Sequence, residues 1–295
     1  MRIGLIGVGN LGSAIAKRLI GTGFEVVAHD ISEKAQRAAS DLGAQIAKSP
    51  KDLAQCCDLA LLALPFPSDV DSVVAGQDAI LSGAKPGFII VDMSTVGPST
   101  TKRNASLAAD KSVEYLDSPV LGRPASCGQW TLPVGGKKEV LEKCRPVLQV
   151  LAKQIVHMGD LGSGDKVKLL NNMMFAVINA TTAEILTLAA KLGVNPSMVY
   201  QTIASSGAAT VSKLFLEVGS KVLKGNFDPV FSIDLLWKDL DVALAMARDV
   251  NAPVMVSRNA QIINELARSK GLGKMDTSAV ATVLEGMLGV QAREL

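Results

Sequence analysis

Ile3-Gly4-Leu5-Ile6-Gly7-Val8-Gly9-Asn10-Leu11-Gly12 opens the chain with a short apolar run that leads straight into glycines spaced GxGxxG. The run at 3–6 reads as a buried strand, and positions 13–20 after the glycines carry the amphipathic period of a helix. A strand, a glycine turn and a helix, in that order, is the setting in which GxGxxG holds a dinucleotide. Gly7 permits the tight turn, Gly9 lets backbone amides approach a pyrophosphate, and Gly12 allows close helix–strand packing. The helix N-terminus at Asn10 and Leu11 then receives the phosphate charge.

Working outward, the second apolar run at 25–29 ends at Asp30, eighteen residues beyond Gly12. An acidic side chain there would accept hydrogen bonds from ribose hydroxyls and repel a 2′-phosphate, which favours NAD over NADP. Lys34 and Arg37 keep NADP open, and the bland alternative is that Asp30 merely caps the next helix alongside Ser32. Apolar runs at 3–6, 25–28, 59–64 and 88–91 alternate with amphipathic stretches at 13–20 and 32–42, the β-α alternation of a parallel sheet covered on both faces. Leu64 and Pro65, at the end of the third run, join the expected cofactor contacts. Further strands are expected near 131–134 and 154–158, the first preceded by a Gly- and Pro-rich functional loop from Gly122.

After Asp160 strand-like runs vanish, and helical periods follow at 165–192, 196–205, 209–223, 234–250, 253–270 and 276–289. The expectation is an α/β Rossmann domain over 1–162 followed by an all-α substrate and dimerisation domain over 163–295. A chain of 295 residues can bury two such cores. Between Lys168 and Lys191 the only charged residue is Glu184, and the stretch reaches the ~20 residues of a membrane span. Seven polar residues interrupt it, Asn171, Asn172, Asn179, Thr181, Thr182, Glu184 and Thr187, so a helix buried on most sides, between domains or subunits, is the better reading.

A net charge of +2 advertises neither nucleic acid nor an anionic membrane. Cys56, Cys57, Cys127 and Cys144 lack CxxC spacing and read as reduced, mostly structural thiols. With a strand starting almost at Met1 in place of a signal-type h-region, a cytoplasmic location is the default expectation. His29 and His157 have no metal-ligand spacing and read as structural; no HExxH, paired-carboxylate or nucleophile-elbow pattern is present, so neither a metal nor a covalent intermediate is expected.

Gly162-Ser163-Gly164-Asp165-Lys166-Val167-Lys168-Leu169-Leu170-Asn171-Asn172 begins as a glycine turn and continues as helix. Lys168 and Asn172, four residues apart, project from one helical face. A lysine that loses solvation in a cleft has its pKa lowered toward working pH, which suits an alcohol/carbonyl proton donor and acceptor. Taken alone, such a pair is more often a solvated face.

Four motifs in order resemble the β-hydroxyacid dehydrogenase family over essentially the whole chain: the GxGxxG loop, Asp92-Met93-Ser94-Thr95-Val96-Gly97-Pro98, Asp117-Ser118-Pro119-Val120-Leu121-Gly122-Arg123, and the stretch from Gly162 to Asn172. The resemblance implies that Ser94 and Thr95 lie beside the nicotinamide, that Lys168 is the acid/base, and that Asn172 orients the substrate. Phe231 and Trp237-Lys238-Asp239-Leu240 resemble a further element whose lysine approaches the nicotinamide end, making Lys238 a cofactor or substrate contact; the alternative is an ion pair with a nearby acid.

The third motif departs from the family's D-A-P-V-S-G-G. Leu121 replaces the serine that would hold the substrate carboxylate, Arg123 replaces the second glycine, and Trp130 stands where glycine is common. Arg123 could supply a charge-assisted contact instead, or stand as a surface residue stiffening the loop. Leu121, Gly122 and Arg123 are therefore the expected substrate contacts beside Lys168 and Asn172. The implied activity is hydride exchange between NAD, or NADP, and a small hydroxyacid or its semialdehyde or keto acid, in a homo-oligomer, most simply a dimer built through the α-domain. A non-catalytic dinucleotide-binding module and an imine reductase are the alternatives.

Overall fold

The protein is described from a computed structural model covering residues 1–208, 210 and 212–293. Its contacts separate into two compact units, Met1–Lys168 and Leu169–Leu295. The first unit runs β1 (Arg2–Ile6), α1 (Asn10–Gly21), β2 (Glu25–His29), α2 (Glu33–Asp41), β3 (Gln45–Ile46), α3 (Pro50–Cys56), β4 (Leu59–Leu62), α4 (Pro67–Ala75), β5 (Ile89–Asp92), α5 (Pro98–Ala109), β6 (Glu114–Asp117), β7 (Trp130–Gly135), α6 (Lys138–Leu151) and β8 (Ala152–Gly159). The strands form one sheet in the order β3-β2-β1-β4-β5-β6-β7-β8, parallel except where β6 meets β7.

Strands buried on both faces need apolar side chains at successive positions, and β4 supplies Leu59-Ala60-Leu61-Leu62. Leu59 and Leu61 join Ile3, Leu5, Ile15 and Leu148 in the core on one face; Ala60 and Leu62 join Ile6, Leu53, Val70 and Ile90 on the other. Each fully buried Leu or Ile contributes about 1.5–3 kcal/mol, so this double core holds the strand ends that carry the glycine loop. Short helices start at clear signals: Ser32 caps α2 through Ala35 N, and Ser49 caps α3 ahead of Pro50.

The α/β reading is borne out, with small shifts: the runs expected at 59–64, 88–91 and 154–158 are Leu59–Leu62, Ile89–Asp92 and Ala152–Gly159. The sequence reading passed over α6, whose Val140, Leu141, Cys144, Val147 and Leu148 are buried at helical spacing despite the internal Pro146. The four cysteines are free thiols, and burial pushes Cys127 up to about 11 and Cys144 up to about 12, as befits inert core groups.

Helix α7 (Ser163–Lys191) begins in the first unit and continues into the second, where α8 (Pro196–Ala204), α9 (Lys213–Lys224), α10 (Ile233–Asp249), α11 (Met255–Ser269) and α12 (Val280–Leu288) follow. Residues 209 and 211 of the helix expected at 209–223 lie outside those described, as do 294 and 295. The core of this unit gathers Ala183, Leu186, Val218, Val222, Phe227, Ile233, Val280 and Val283. α7 is long and apolar enough to cross a membrane by length and composition alone, with 39% of its most apolar window buried. It buries one face, through Leu169, Asn172, Ala176, Asn179, Ala183 and Leu186, while Leu170, Met174 and Leu188 are exposed. Within one chain the burial is therefore narrower than the sequence suggested.

Candidate active site

β1 hands the chain to the glycine loop, where Gly7 N donates to His29 O at 3.0 Å with φ at +88°. A Cβ on Gly12 would lie 1.9 Å from Gly7 O, so only glycine lets α1 start this close to the turn. A Cβ on Gly9, by contrast, would meet nothing within 4 Å, and Gly9 offers no side chain to cap α1. Open space above an uncapped helix N-terminus fits a pyrophosphate. Asp30 Oδ2 accepts from Val8 N at 2.7 Å and Oδ1 accepts from Ser32 N at 2.8 Å. The cap of α2 is thus Ser32, and Asp30 instead ties the glycine loop to the end of β2. Of the two nearby cations, Arg37 faces Glu33 at 3.3 Å on the surface.

At the end of β5, Ser94 N donates to Asp92 Oδ1 at 2.9 Å and Ser94 Oγ accepts from Leu64 N at 3.0 Å. This brings Ser94 and Leu64 together, with Ser94 buried and fixing Leu64, and Thr95 and Pro65 follow them directly in the chain. Asp92 Oδ2 accepts from Tyr115 OH at 2.9 Å. Burial pushes the Asp92 carboxyl up, partly countered by Ser94 and Tyr115; burial and the Asp92 charge hold the Tyr115 hydroxyl well above its usual range.

After β6, Leu121 pairs with Thr131 by two backbone bonds of 3.0 and 3.2 Å. Trp130, fully buried, donates Nε1–H to Arg123 O at 2.8 Å, and a Cβ on Gly122 would lie 2.3 Å from its Cδ1. The indole fills the volume behind Leu121, Gly122 and Arg123 and pins the loop's backbone. Lys168, half-buried, donates from Nζ to Val120 O at 2.8 Å, so the lysine stands on the same loop.

Below that amine, Asp117 Oδ1 accepts from Gly162 N at 2.7 Å and Oδ2 from Asp165 N at 3.0 Å. Thr101 Oγ1 donates to Asp165 Oδ2 at 2.6 Å. Burial, then the Asp117 charge, holds the Asp165 carboxyl well above the usual carboxylate range; burial also raises Asp117, against the amides that favour its charged form. The sequence reading assigned no role to Asp117, Asp165 or Thr101. The available signal was Asp165 three residues before Lys168 on one helical face.

Within the second unit, Asn172 Nδ2 donates to Asp239 Oδ2, and Lys238 Nζ lies 2.5 Å from Asp239 Oδ1. Asn172, Lys238 and Asp239 are all buried. The structure thus brings the two expected residues together around Asp239, to which the sequence gives no role of its own. The ion-pair alternative for Lys238 describes a bond it does make, though buried rather than on the surface. Phe231 packs edge-on to Phe175 at 5.5 Å. His29 Nδ1 and His157 Nε2 each sit on a backbone carbonyl, of Ala47 and Gly136.

Residues 2–159 match the family described as the NAD binding domain of 6-phosphogluconate dehydrogenase, and residues 162–284 match that described as NAD-binding of NADP-dependent 3-hydroxyisobutyrate dehydrogenase. The chain is 38% identical over 293 residues to a 2-(hydroxymethyl)glutarate dehydrogenase of Eubacterium barkeri, covering 98% of this chain and 97% of that one. It is 30% identical to a 3-sulfolactaldehyde reductase of Escherichia coli (strain K12), over 99% and 98% of the two chains. The solved 3-hydroxyisobutyrate dehydrogenase of Salmonella typhimurium superposes with a TM-score of 0.89 at 25% identity, covering 96% of this chain and 99% of that one.

Proposed function

Because the chain belongs to the β-hydroxyacid dehydrogenase family, and is an NAD(P)-dependent hydroxyacid dehydrogenase or reductase, we propose that Lys168 is its acid/base on a small β-hydroxyacid or the matching semialdehyde or keto acid. The observation that carries this reading is the 2.8 Å bond from Lys168 Nζ to Val120 O, which stands an amine on the backbone of the expected substrate loop. Bound nicotinamide supplies or receives the hydride. Lys168 takes the hydroxyl proton as the alcohol is oxidised and returns it to the carbonyl oxygen in reduction. Asn172 orients the substrate, and Lys238, held by Asp239, contacts cofactor or substrate.

Gly7, Gly9, Asn10, Leu11 and Gly12 hold the pyrophosphate, Asp30 the ribose with a preference for NAD, and Leu64, Pro65, Ser94 and Thr95 the nicotinamide side. Leu121, Gly122 and Arg123 contact the substrate. The names of two relatives, a glutarate and a sulfolactaldehyde enzyme, agree with a substrate bearing an anionic group away from the reacting carbon, which Arg123 would meet by a charge-assisted contact. Residues 1–162 form the cofactor domain and 163–295 the substrate and dimerisation domain. The exposed Leu170, Met174, Leu188, Leu192 and Met198 support a homo-oligomer built through the helical unit, and the cytoplasm is the proposed location.

The test follows nicotinamide absorbance with NADH or NADPH against glyoxylate, succinic semialdehyde, methylmalonate semialdehyde, tartronate semialdehyde, 2-formylglutarate and sulfolactaldehyde, in wild type and Arg123→Ala. Turnover with NADH, together with a substrate KM for 2-formylglutarate or sulfolactaldehyde that rises about tenfold or more in Arg123→Ala, supports the reading. Turnover confined to NADPH, or substrate KM values unmoved by Arg123→Ala, would overturn the roles of Asp30 or Arg123.

A further inference from the structure

The helix that presents Lys168 is capped from outside itself. Gly162, whose φ is +86°, precedes α7, and no serine or aspartate of the helix's own sequence takes the amides of Gly162 and Asp165; both donate instead to the two carboxylate oxygens of Asp117, at 2.7 and 3.0 Å. Asp117 ends β6, and Val120, whose carbonyl receives the Lys168 ammonium at 2.8 Å, lies three residues further along the same segment. One short piece of chain, 117–120, therefore holds the lysine helix at its first turn and the lysine side chain at its tip.

A second brace comes from α5. Thr101 Oγ1 donates to Asp165 Oδ2 at 2.6 Å, and Asp165 is 1% exposed, with Oδ1 meeting no hydrogen-bond donor among the described residues. Close packing leaves no slack around these groups: a Cβ on Gly164 would lie 2.8 Å from Asp117 Oδ2, and one on Gly135 would lie 2.4 Å from Asp117 Oδ1. Asp117 is itself fully buried. A carboxylate fixed this tightly, with its two oxygens spent on one helical turn, sets both the height and the rotation of that turn.

We propose that Asp117, with Thr101 and Asp165 as its brace, is the positioning residue that places the Lys168 amine for proton transfer. This rests on the acid/base reading of Lys168. Burial and the Asp117 charge hold Asp165 well above the usual carboxylate range, and burial also raises Asp117, against the amides of Gly162 and Asp165 that favour its charged form. The groups facing the pair are Thr101 from α5 and, further off, Asp92 and Tyr115 from β5 and β6.

The experiment is a double-mutant cycle on kcat in the full-length protein, using Asp117→Asn, Lys168→Ala and the double variant, with dinucleotide affinity measured by fluorescence quenching in each. Acting through the lysine, Asp117→Asn lowers kcat at least about tenfold in the wild-type background and less than about twofold when Lys168 is already alanine, with dinucleotide affinity unchanged. An equal loss in both backgrounds would make Asp117 a general structural residue and overturn the proposal, as would wild-type kcat in Asp117→Asn. If Lys168→Ala itself keeps full kcat, the acid/base reading fails instead, and the two failures are told apart in one data set. Should Asp117→Asn not fold, Thr101→Val and Thr101→Ser take its place: kcat falls in the valine variant and returns in the serine variant, which keeps the hydroxyl donor, whereas equal kcat in both would refute the brace.

Discussion

The strand ends of the N-terminal unit and the Asn172–Lys238–Asp239 cluster of the helical unit hold their acidic side chains by different means. In the first, backbone amides meet carboxylates: Val8 and Ser32 on Asp30, Ser94 on Asp92, Gly162 and Asp165 on Asp117. In the second, side chain meets side chain, in Lys238–Asp239 with Asn172 and in Lys221–Asp276 at 2.7 Å. Amide donors are part of the main chain and stay where the fold puts them, so removing a carboxylate there mainly releases geometry. Removing one partner of a side-chain pair leaves the other charge buried and uncompensated, which costs more.

That contrast can be broken in order of size. Asp239→Ala strands the Lys238 ammonium and is expected to cost about 3–5 kcal/mol, read as a fall in the urea midpoint of the helical unit. A loss below 1 kcal/mol would mean that the pair is solvated in practice. Gly12→Ala drives a methyl into Gly7 O and is expected to cost about 1–3 kcal/mol while abolishing tight dinucleotide binding; unchanged affinity in a titration would remove the loop from the cofactor site. Trp130→Phe keeps the ring packed on Gly122 but deletes the bond to Arg123 O, for about 1 kcal/mol, and should raise the substrate KM with kcat little changed.

The smallest effect is a difference in pH response. Asp92, Asp117 and Asp165 are raised in the folded state, so they stabilise relatively more when protonated; their contribution falls as pH rises above the unfolded value of about 3.9 toward their raised folded values. Asp276 runs the other way. Burial would raise it, but Lys221, Ser278 and the Val230 amide outweigh burial and lower it, so its contribution is present above about 3.9 and is lost as pH drops through its folded value. The two tryptophans, Trp130 and Trp237, lie in different units, so single Trp→Phe variants report each unit's unfolding by fluorescence. Between mildly acidic and strongly acidic pH, the unit carrying Trp237 should lose stability first; parallel loss in both would contradict these assignments.

The same contrast explains how far the sequence could be read. The glycine loop, Asp30 and the alternating units around them are local signals, because a GxGxxG turn and an apolar run act through neighbours in the chain, and the strand, turn and helix lie where these signals put them, with Asp30 directly after β2. Helix α6 is masked in the sequence because Pro146 and interspersed charged residues interrupt its apolar stripe. The departures at Leu121, Arg123 and Trp130 were visible one by one, yet only packing shows that the indole presses on Gly122 and bonds to Arg123. Asp117 and Asp165 stand 48 residues apart, and Asn172 and Asp239 stand 67 apart; no spacing rule links such partners. Lys238 was legible as a charged residue in a motif, but its burial beside its own neighbour was not.

The most direct test of the account is single-turnover kinetics of Lys168→Ala with the best substrate of the panel, beside a dinucleotide titration of the same variant. With Lys168 in the proposed acid/base role and the glycine loop in the proposed cofactor role, the rate of the chemical step falls about 10²–10⁴-fold while dinucleotide affinity holds. A rate within a few-fold of wild type would contradict it and move the acid/base role to another residue.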